Sequence, residues 1–143
     1  MLYSTYMATP EKREQLPTRL LLYIDGSDLS CEGIYHVISR LYGWTAICKT
    51  SLEEVADLSA NNPDCLPDLI MFGDSYLYRG RPITPTDIEM ISTLYPNCPI
   101  VMTPVLAIEA FQNGINIPLL EKCFGIKELE TFINNHALPA TTS

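Results

Sequence analysis

The sequence predicts one α/β domain: a five-stranded parallel sheet with helices on both faces, a three-layer α/β/α sandwich. Short apolar runs of strand length alternate with stretches of helical periodicity five times along the chain. That alternation is the pattern of a covered parallel sheet, and the right-handed rule for crossovers leaves few topologies for it. The functional crevice of such a sheet lies at the carboxyl ends of its strands. Those ends hold Asp25, Gly73-Asp74, Thr103 and the neighbourhood of Lys122.

The elements follow in order. Arg19-Leu-Leu-Leu-Tyr-Ile-Asp25 is an apolar run closed by an acid and a glycine, as in a strand buried on both faces. Cys31 to Tyr42 sets Ile34, Val37, Ile38 and Leu41 on one helical face, and Gly43 is a stop signal. Trp44 to Cys48 is the second strand. Ser51 to Ser59 is a helix opened by a Ser51/Glu54 capping box. Asn61 to Pro67 is loop and Leu69 to Phe72 the third strand. Thr84 caps a third helix, Pro85 to Leu94, with proline at its first position and Ile88, Ile91 and Leu94 at helical spacing. Ile100 to Met102 is the fourth strand, and Leu106 to Gln112 a short helix ended by Gly114. Ile115 to Leu120 is expected as the fifth strand. Ile126 to Asn134 is the last helix, turning Leu129, Phe132 and Ile133 inward.

The 143 residues fit a single domain, and a hydrophobic share of 47% with 18% charge excludes a disordered chain. Residues 1–18 mix prolines and charges without the apolar core of a secretory signal and are expected to be a flexible extension; 19–136 form the domain, and 137–143 read as a tail or the start of a linker. A net charge of −8 with no basic cluster argues against nucleic-acid binding by this segment. No apolar run approaches the roughly 20 residues of a membrane span. Five widely spaced cysteines without a CxxC pair fit reduced thiols and a cytoplasmic location.

Several stretches carry a family resemblance. Leu20-Leu-Leu-Tyr-Ile-Asp-Gly-Ser-Asp-Leu-Ser-Cys-Glu-Gly-Ile34 resembles the opening strand, acidic pair and Arg-Glu-Gly-Leu wording of response-regulator receiver domains, especially those joined to LuxR-type helix-turn-helix domains. Pro67-Asp-Leu-Ile-Met-Phe72 resembles the family's third-strand lead-in and Pro96-Asn-Cys-Pro-Ile-Val-Met-Thr103 its fourth strand. Leu119-Leu-Glu-Lys-Cys-Phe-Gly-Ile-Lys-Glu-Leu129 is similar to its Lys-Pro-Phe segment. The resemblance runs from about Leu20 to His136 and implies a flavodoxin-like fold with strand order 2-1-3-4-5.

The same resemblance exposes a degenerate phosphorylation pocket. Phosphoryl transfer to a receiver takes a carboxylate nucleophile, a Mg2+ held by acids and a lysine against the developing charge. The acidic pair falls on Asp25-Gly26, so one metal-contacting acid is gone unless Asp28 reaches in. Without gaps, the nucleophile position falls on Gly73, and Asp74 comes one residue late. A slip of one residue turns a strand side chain to the other face. Taking Asp74 as nucleophile aligns Leu77 with a family hydrophobic position, needs a bulge, and leaves Tyr78 where the family has proline. Thr103 matches the switch hydroxyl, and Lys122 the family lysine if one residue is inserted after Gly114. The aromatic switch position, three before the lysine, is Leu119.

Other residues read structurally. His36 and His136 are too isolated for a metal site. Ser27 lacks a nucleophile elbow and a histidine partner and belongs to a turn. Tyr76 and Tyr78 form either a contact patch or packing over the pocket. The resulting expectation is a non-enzymatic, phosphorylation-independent pseudo-receiver without cofactor or metal, acting as a homodimer or on a regulatory protein partner through its first and last helices or through what remains of the face formed by the short helix 106–112, the expected fifth strand and the last helix. DNA would be reached only through an output domain outside this chain, and no membrane contact is expected. The alternatives are a conventional phospho-receiver using Asp74 with Mg2+, and a small-molecule sensor whose vacated crevice holds a ligand.

Overall fold

The computed structural model describes residues 19–77 and 80–139. The predicted extension 1–18, Tyr78, and the end of the predicted tail lie outside them. The elements are β1 (Arg19–Ile24), α1 (Asp28–Ile38), β2 (Trp44–Lys49), α2 (Leu52–Asn61), β3 (Leu69–Phe72), α3 (Pro85–Leu94), β4 (Ile100–Met102), α4 (Ala107–Gln112) and α5 (Ile126–His136). The four strands are all parallel in the order β2-β1-β3-β4.

Alternation along the strands builds the two cores. Leu22, Ile24, Ile70, Phe72 and Met102 point to one face, where Val55 of α2, Ile91 of α3 and Ala110 of α4 cover them. Leu21, Tyr23, Leu69, Met71 and Val101 point to the other, under Ile38 of α1 and Leu129 and Ile133 of α5. Phe72, Ile24, Ile91 and Leu129 are fully buried, and burying each such side chain contributes about 1.5–3 kcal/mol. This is the predicted three-layer sandwich.

The expected fifth strand is the main correction. Residues 115–120 run parallel beside β4, but only the Met102–Leu119 bridge forms. Met102 N–H donates to Pro118 O at 3.1 Å, and Leu120 N–H to Met102 O at 3.0 Å. Continuing the parallel ladder backwards requires an N–H from residue 118, and continuing it forwards requires one from residue 104. Both are prolines and have none. The segment therefore holds the fifth place in the order with a single bridge. Leu119 packs, partly buried, against the core on the α2/α3/α4 side.

Helix α1 begins three residues before its expected start, because Ser27 Oγ accepts the Ser30 N–H at 3.2 Å and caps it. It also ends earlier, at Ile38. Arg40 and Leu41 then form a tight turn on Val37 and Ile38, and Gly43 continues at φ 78°. Leu41 is still buried, from the turn instead of the helix. Strand β2 gains Lys49, α4 begins one residue later than expected, and α5 runs on to His136. Beyond α5, Leu138 N–H donates to Asp68 O at 2.9 Å, so the predicted tail begins as part of the domain.

The long β3–α3 connection is fixed at its far end by a reciprocal cap. Thr84 Oγ1 accepts the Asp87 N–H at 3.4 Å, and Asp87 Oδ2 accepts the Thr84 N–H at 2.9 Å. Arg81 adds an ion pair to Asp87 at 3.0 Å. Asp87→Ala is expected to lower stability by about 1–2 kcal/mol in urea unfolding; an unchanged midpoint would show that the cap contributes nothing.

Candidate functional site

The site forms at the carboxyl ends of β1, β3 and β4, and strand parity decides who enters it. Asp25 follows Tyr23, Gly73 follows Met71, and Thr103 follows Val101 on the face covered by α1 and α5. Asp74 falls in the parity of Phe72, on the other face. The β1–β3 register is continuous from Leu21–Leu69 to Ile24–Phe72, and the Gly73 N–H extends the ladder to Ile24 O at 2.8 Å. There is no bulge before residue 73 to shift Asp74 across.

Each expected site residue has a definite place. Asp25 is 5% exposed. Its Oδ2 accepts the Tyr23 hydroxyl at 2.9 Å and its Oδ1 the Ser27 N–H at 3.0 Å. Gly73 lies directly against this pair. A Cβ built there would overlap the Tyr23 hydroxyl oxygen and Asp25 Oδ2, and would stand 2.5 Å from Tyr23 Cζ. The space that a side chain at 73 would need is already filled by the tyrosine. Lys122 reaches in from the bridged segment: its backbone N–H donates to Pro104 O at 2.9 Å, and its ammonium donates to the Gly73 carbonyl. Thr103 is 1% exposed, and both its N–H, at 2.8 Å, and its Oγ1, at 3.4 Å, contact Phe72 O.

Asp74 is engaged elsewhere. Its Oδ1 accepts the Ser75 N–H at 2.7 Å, lies 3.5 Å from the Ser75 hydroxyl and accepts the Val105 N–H at 3.4 Å. It ties the β3 loop to the β4 loop. Asp28 is exposed in the first turn of α1. Gly26 supplies no side chain, so Asp25 is the one carboxylate in the Tyr23–Gly73–Lys122 cluster, and both its oxygens are already hydrogen-bonded. These residues do not fit Mg2+, which needs oxygen ligands in near-octahedral array. No group of three or more potential metal ligands occurs among the described residues.

Tyr23 is the residue that sequence reasoning missed. The signal was present: it sits two positions before Asp25 in a strand, so both side chains share a face, and it is the one aromatic in an aliphatic run. Burial, reinforced by the charge and hydrogen bond of Asp25, pushes its phenol far above the ordinary tyrosine range. It stays neutral and donates. The remaining candidates are structural. Ser27 is the α1 cap, and His36 and His136 end α1 and α5 beside Tyr35 and Phe132. Tyr76 bridges to Pro82 and is half-buried, whereas Tyr78 lies outside the described residues. All five cysteines are free thiols, and no described helix is long and apolar enough to cross a membrane.

No protein-family model matches the sequence, and no curated protein does either. Solved structures do match. A response regulator receiver protein from Sinorhizobium medicae superposes with a TM-score of 0.64 at 18% identity, over 82% of this chain and 93% of that one. The signal receiver domain of an HD domain-containing protein from Pseudomonas fluorescens gives 0.64 at 17% identity, over 83% and 94%. The anti-anti-sigma factor PhyR from Bartonella quintana gives 0.64 at 14%, over 86% of this chain and 49% of that one. The chain has the flavodoxin-like receiver fold. At the carboxyl end of its third strand, Gly73 lies against a Tyr23–Asp25 hydrogen bond.

Proposed function

We propose that this chain is a pseudo-receiver: a regulatory module that takes no phosphoryl group and acts by binding protein, either a second copy of itself or a regulatory partner. The observation that carries the reading is the filled space over Gly73. A phospho-receiver needs a carboxylate there with room for an in-line donor. Here that volume belongs to the Tyr23 ring, and the neighbouring acid is committed to the tyrosine hydroxyl and a backbone N–H. Leu119 in place of the family's aromatic switch is consistent with this, since an aliphatic side chain at that place offers no ring to rotate.

The binding surface this reading favours is the α4 side. Val105, Leu106, Ile108 and Phe111 are each at least half exposed within one short stretch. A cluster of apolar side chains of this kind marks an interaction surface more often than singly scattered ones do. Sedimentation velocity tests both parts of the reading. The wild-type chain is expected to self-associate identically with and without acetyl phosphate and Mg2+, and Phe111→Asp to weaken association at least about tenfold, as loss of an aromatic interface anchor does. Association that appears only with acetyl phosphate would count against it.

A further inference from the structure

A concavity of the described surface opens beside the filled pocket. It is a cleft of about 410 Å3 between α1 and α5, within the size range of small-molecule sites, about 300–1,000 Å3. Its walls are apolar, with Ile34 and Val37 of α1 facing Phe124, Ile126 and Leu129 of the α5 side. Its inner end is polar, where Tyr23, Thr103 and Lys122 meet.

Two features suit this cleft to a ligand of a particular kind. The first is the charge at its inner end. Among the described residues no carboxylate lies within ion-pair distance of Lys122, whose ammonium donates to the Gly73 carbonyl. An ammonium carries three N–H donors, so donors remain for an anion entering from the cleft. In a chain of net charge −8 an unpaired, half-buried lysine at the end of an apolar channel is a distinct electrostatic feature. The second is Gly33, which lines the mouth from the interior of α1. Glycine inside a helix is destabilising relative to alanine. Neither packing nor a left-handed backbone calls for it here: a Cβ at 33 would meet nothing within 4 Å, and its φ is not positive. The glycine leaves the cleft wall at this point without a side chain.

We infer that the α1/α5 cleft binds a small organic monocarboxylate with an apolar body, its acid group on Lys122 and its body between Ile34, Val37, Phe124 and Leu129. A monoanion suits the end better than a phosphate dianion, because Asp25 lies just behind the Tyr23 hydroxyl. The inference deepens the pseudo-receiver reading and rests on it, since it assigns to Lys122 an anion other than an aspartyl phosphate.

The test is titration of the full chain with 2-naphthoate and octanoate, followed by calorimetry, with 2-naphthol and 1-octanol as neutral counterparts and inorganic phosphate as a separate arm. Saturable binding of a carboxylate is expected, with its alcohol about tenfold weaker through loss of the charged hydrogen bond. Lys122→Gln should weaken the carboxylate about tenfold and bring acid and alcohol level. Gly33→Leu, whose side chain fills the mouth, should abolish binding while the thermal midpoint is kept or raised, so the test stands even if the lysine variant folds poorly. Failure of both carboxylates to bind, equal binding of the alcohols, tighter binding of inorganic phosphate, or full binding by Gly33→Leu would overturn the inference. If neither carboxylate binds and acetyl phosphate also leaves the mass unchanged, only this inference falls; a phosphoryl adduct removes the underlying reading instead.

Discussion

Gly73→Asp, which places an acid at the position that the proposed reading assigns to the acceptor, is expected to destabilise the fold by about 3 kcal/mol or more and to leave the chain unphosphorylated. The new Cβ would overlap the Tyr23 hydroxyl and Asp25 Oδ2, and overpacking of a closed site costs about 1–3 kcal/mol. A second carboxylate beside buried Asp25 adds a desolvation and repulsion penalty on top, which the Lys122 ammonium at the residue 73 carbonyl offsets only in part. Tyr23→Ala alone is also expected to cost about 3–5 kcal/mol, as truncation of a buried aromatic does. The two changes should not add. Removing the ring creates the space that the aspartate needs, so the double variant should be more stable than the sum of the singles by about 1–3 kcal/mol. Urea unfolding of the four proteins measures this. Strict additivity would mean that Tyr23 and residue 73 do not compete for one volume.

Alkaline unfolding is the second large effect. Burial pushes the Cys31 thiol up to about 12, helped by the neighbouring Cys48 and Asp25. Burial with the charge of Asp68 takes Cys98 to about 12 as well. Tyr23 is raised further, for the reasons given above. A thiol whose folded value exceeds its unfolded value keeps its proton in the native state after the unfolded chain has lost it. The native state then binds more protons, so stability falls as pH rises. The contribution is complete below the ordinary thiol value of 9.0 and is progressively lost up to about 12. Thermal midpoints are therefore expected to be flat from pH 7 to about 8.5 and to drop steeply above about 9. Cys31→Ala and Cys98→Ala should each make that drop shallower. A curve that stays level to about pH 11 would contradict the burial of these groups.

The fold was largely legible because its signals are local. Apolar run length separated strands from helices, Ser51 and Thr84 announced caps that form, and Leu129 and Ile133 sit inward as their spacing required. The fifth strand is reduced to a single bridge for a reason that is also in the sequence. An apolar run reports burial, but ladder formation needs N–H groups at particular steps, and Pro104 and Pro118 remove two of them. The α1 start was missed because Ser27 was read as a turn and not as the cap that the turn creates.

The site was legible in part. Parity favours Gly73 over Asp74 unless a bulge intervenes, and the β1–β3 register runs without one to Phe72. Lys122 extends to the Gly73 carbonyl. What could not be read was the occupant. Strand periodicity states that Tyr23 shares a face with Asp25, but not that its hydroxyl turns to the carboxylate across the space above Gly73. That follows from the ends of β1 and β3 lying side by side, and the pattern of either one is silent about the other.

The central claim is that this receiver fold has no phosphoryl acceptor, because its acceptor volume is occupied by Tyr23 held on Asp25. Intact mass of the full chain after incubation with acetyl phosphate and Mg2+ tests it most directly. The account predicts an unchanged mass for the wild type and for Asp74→Asn alike. A phosphoryl adduct on the wild type that disappears in Asp74→Asn would contradict it.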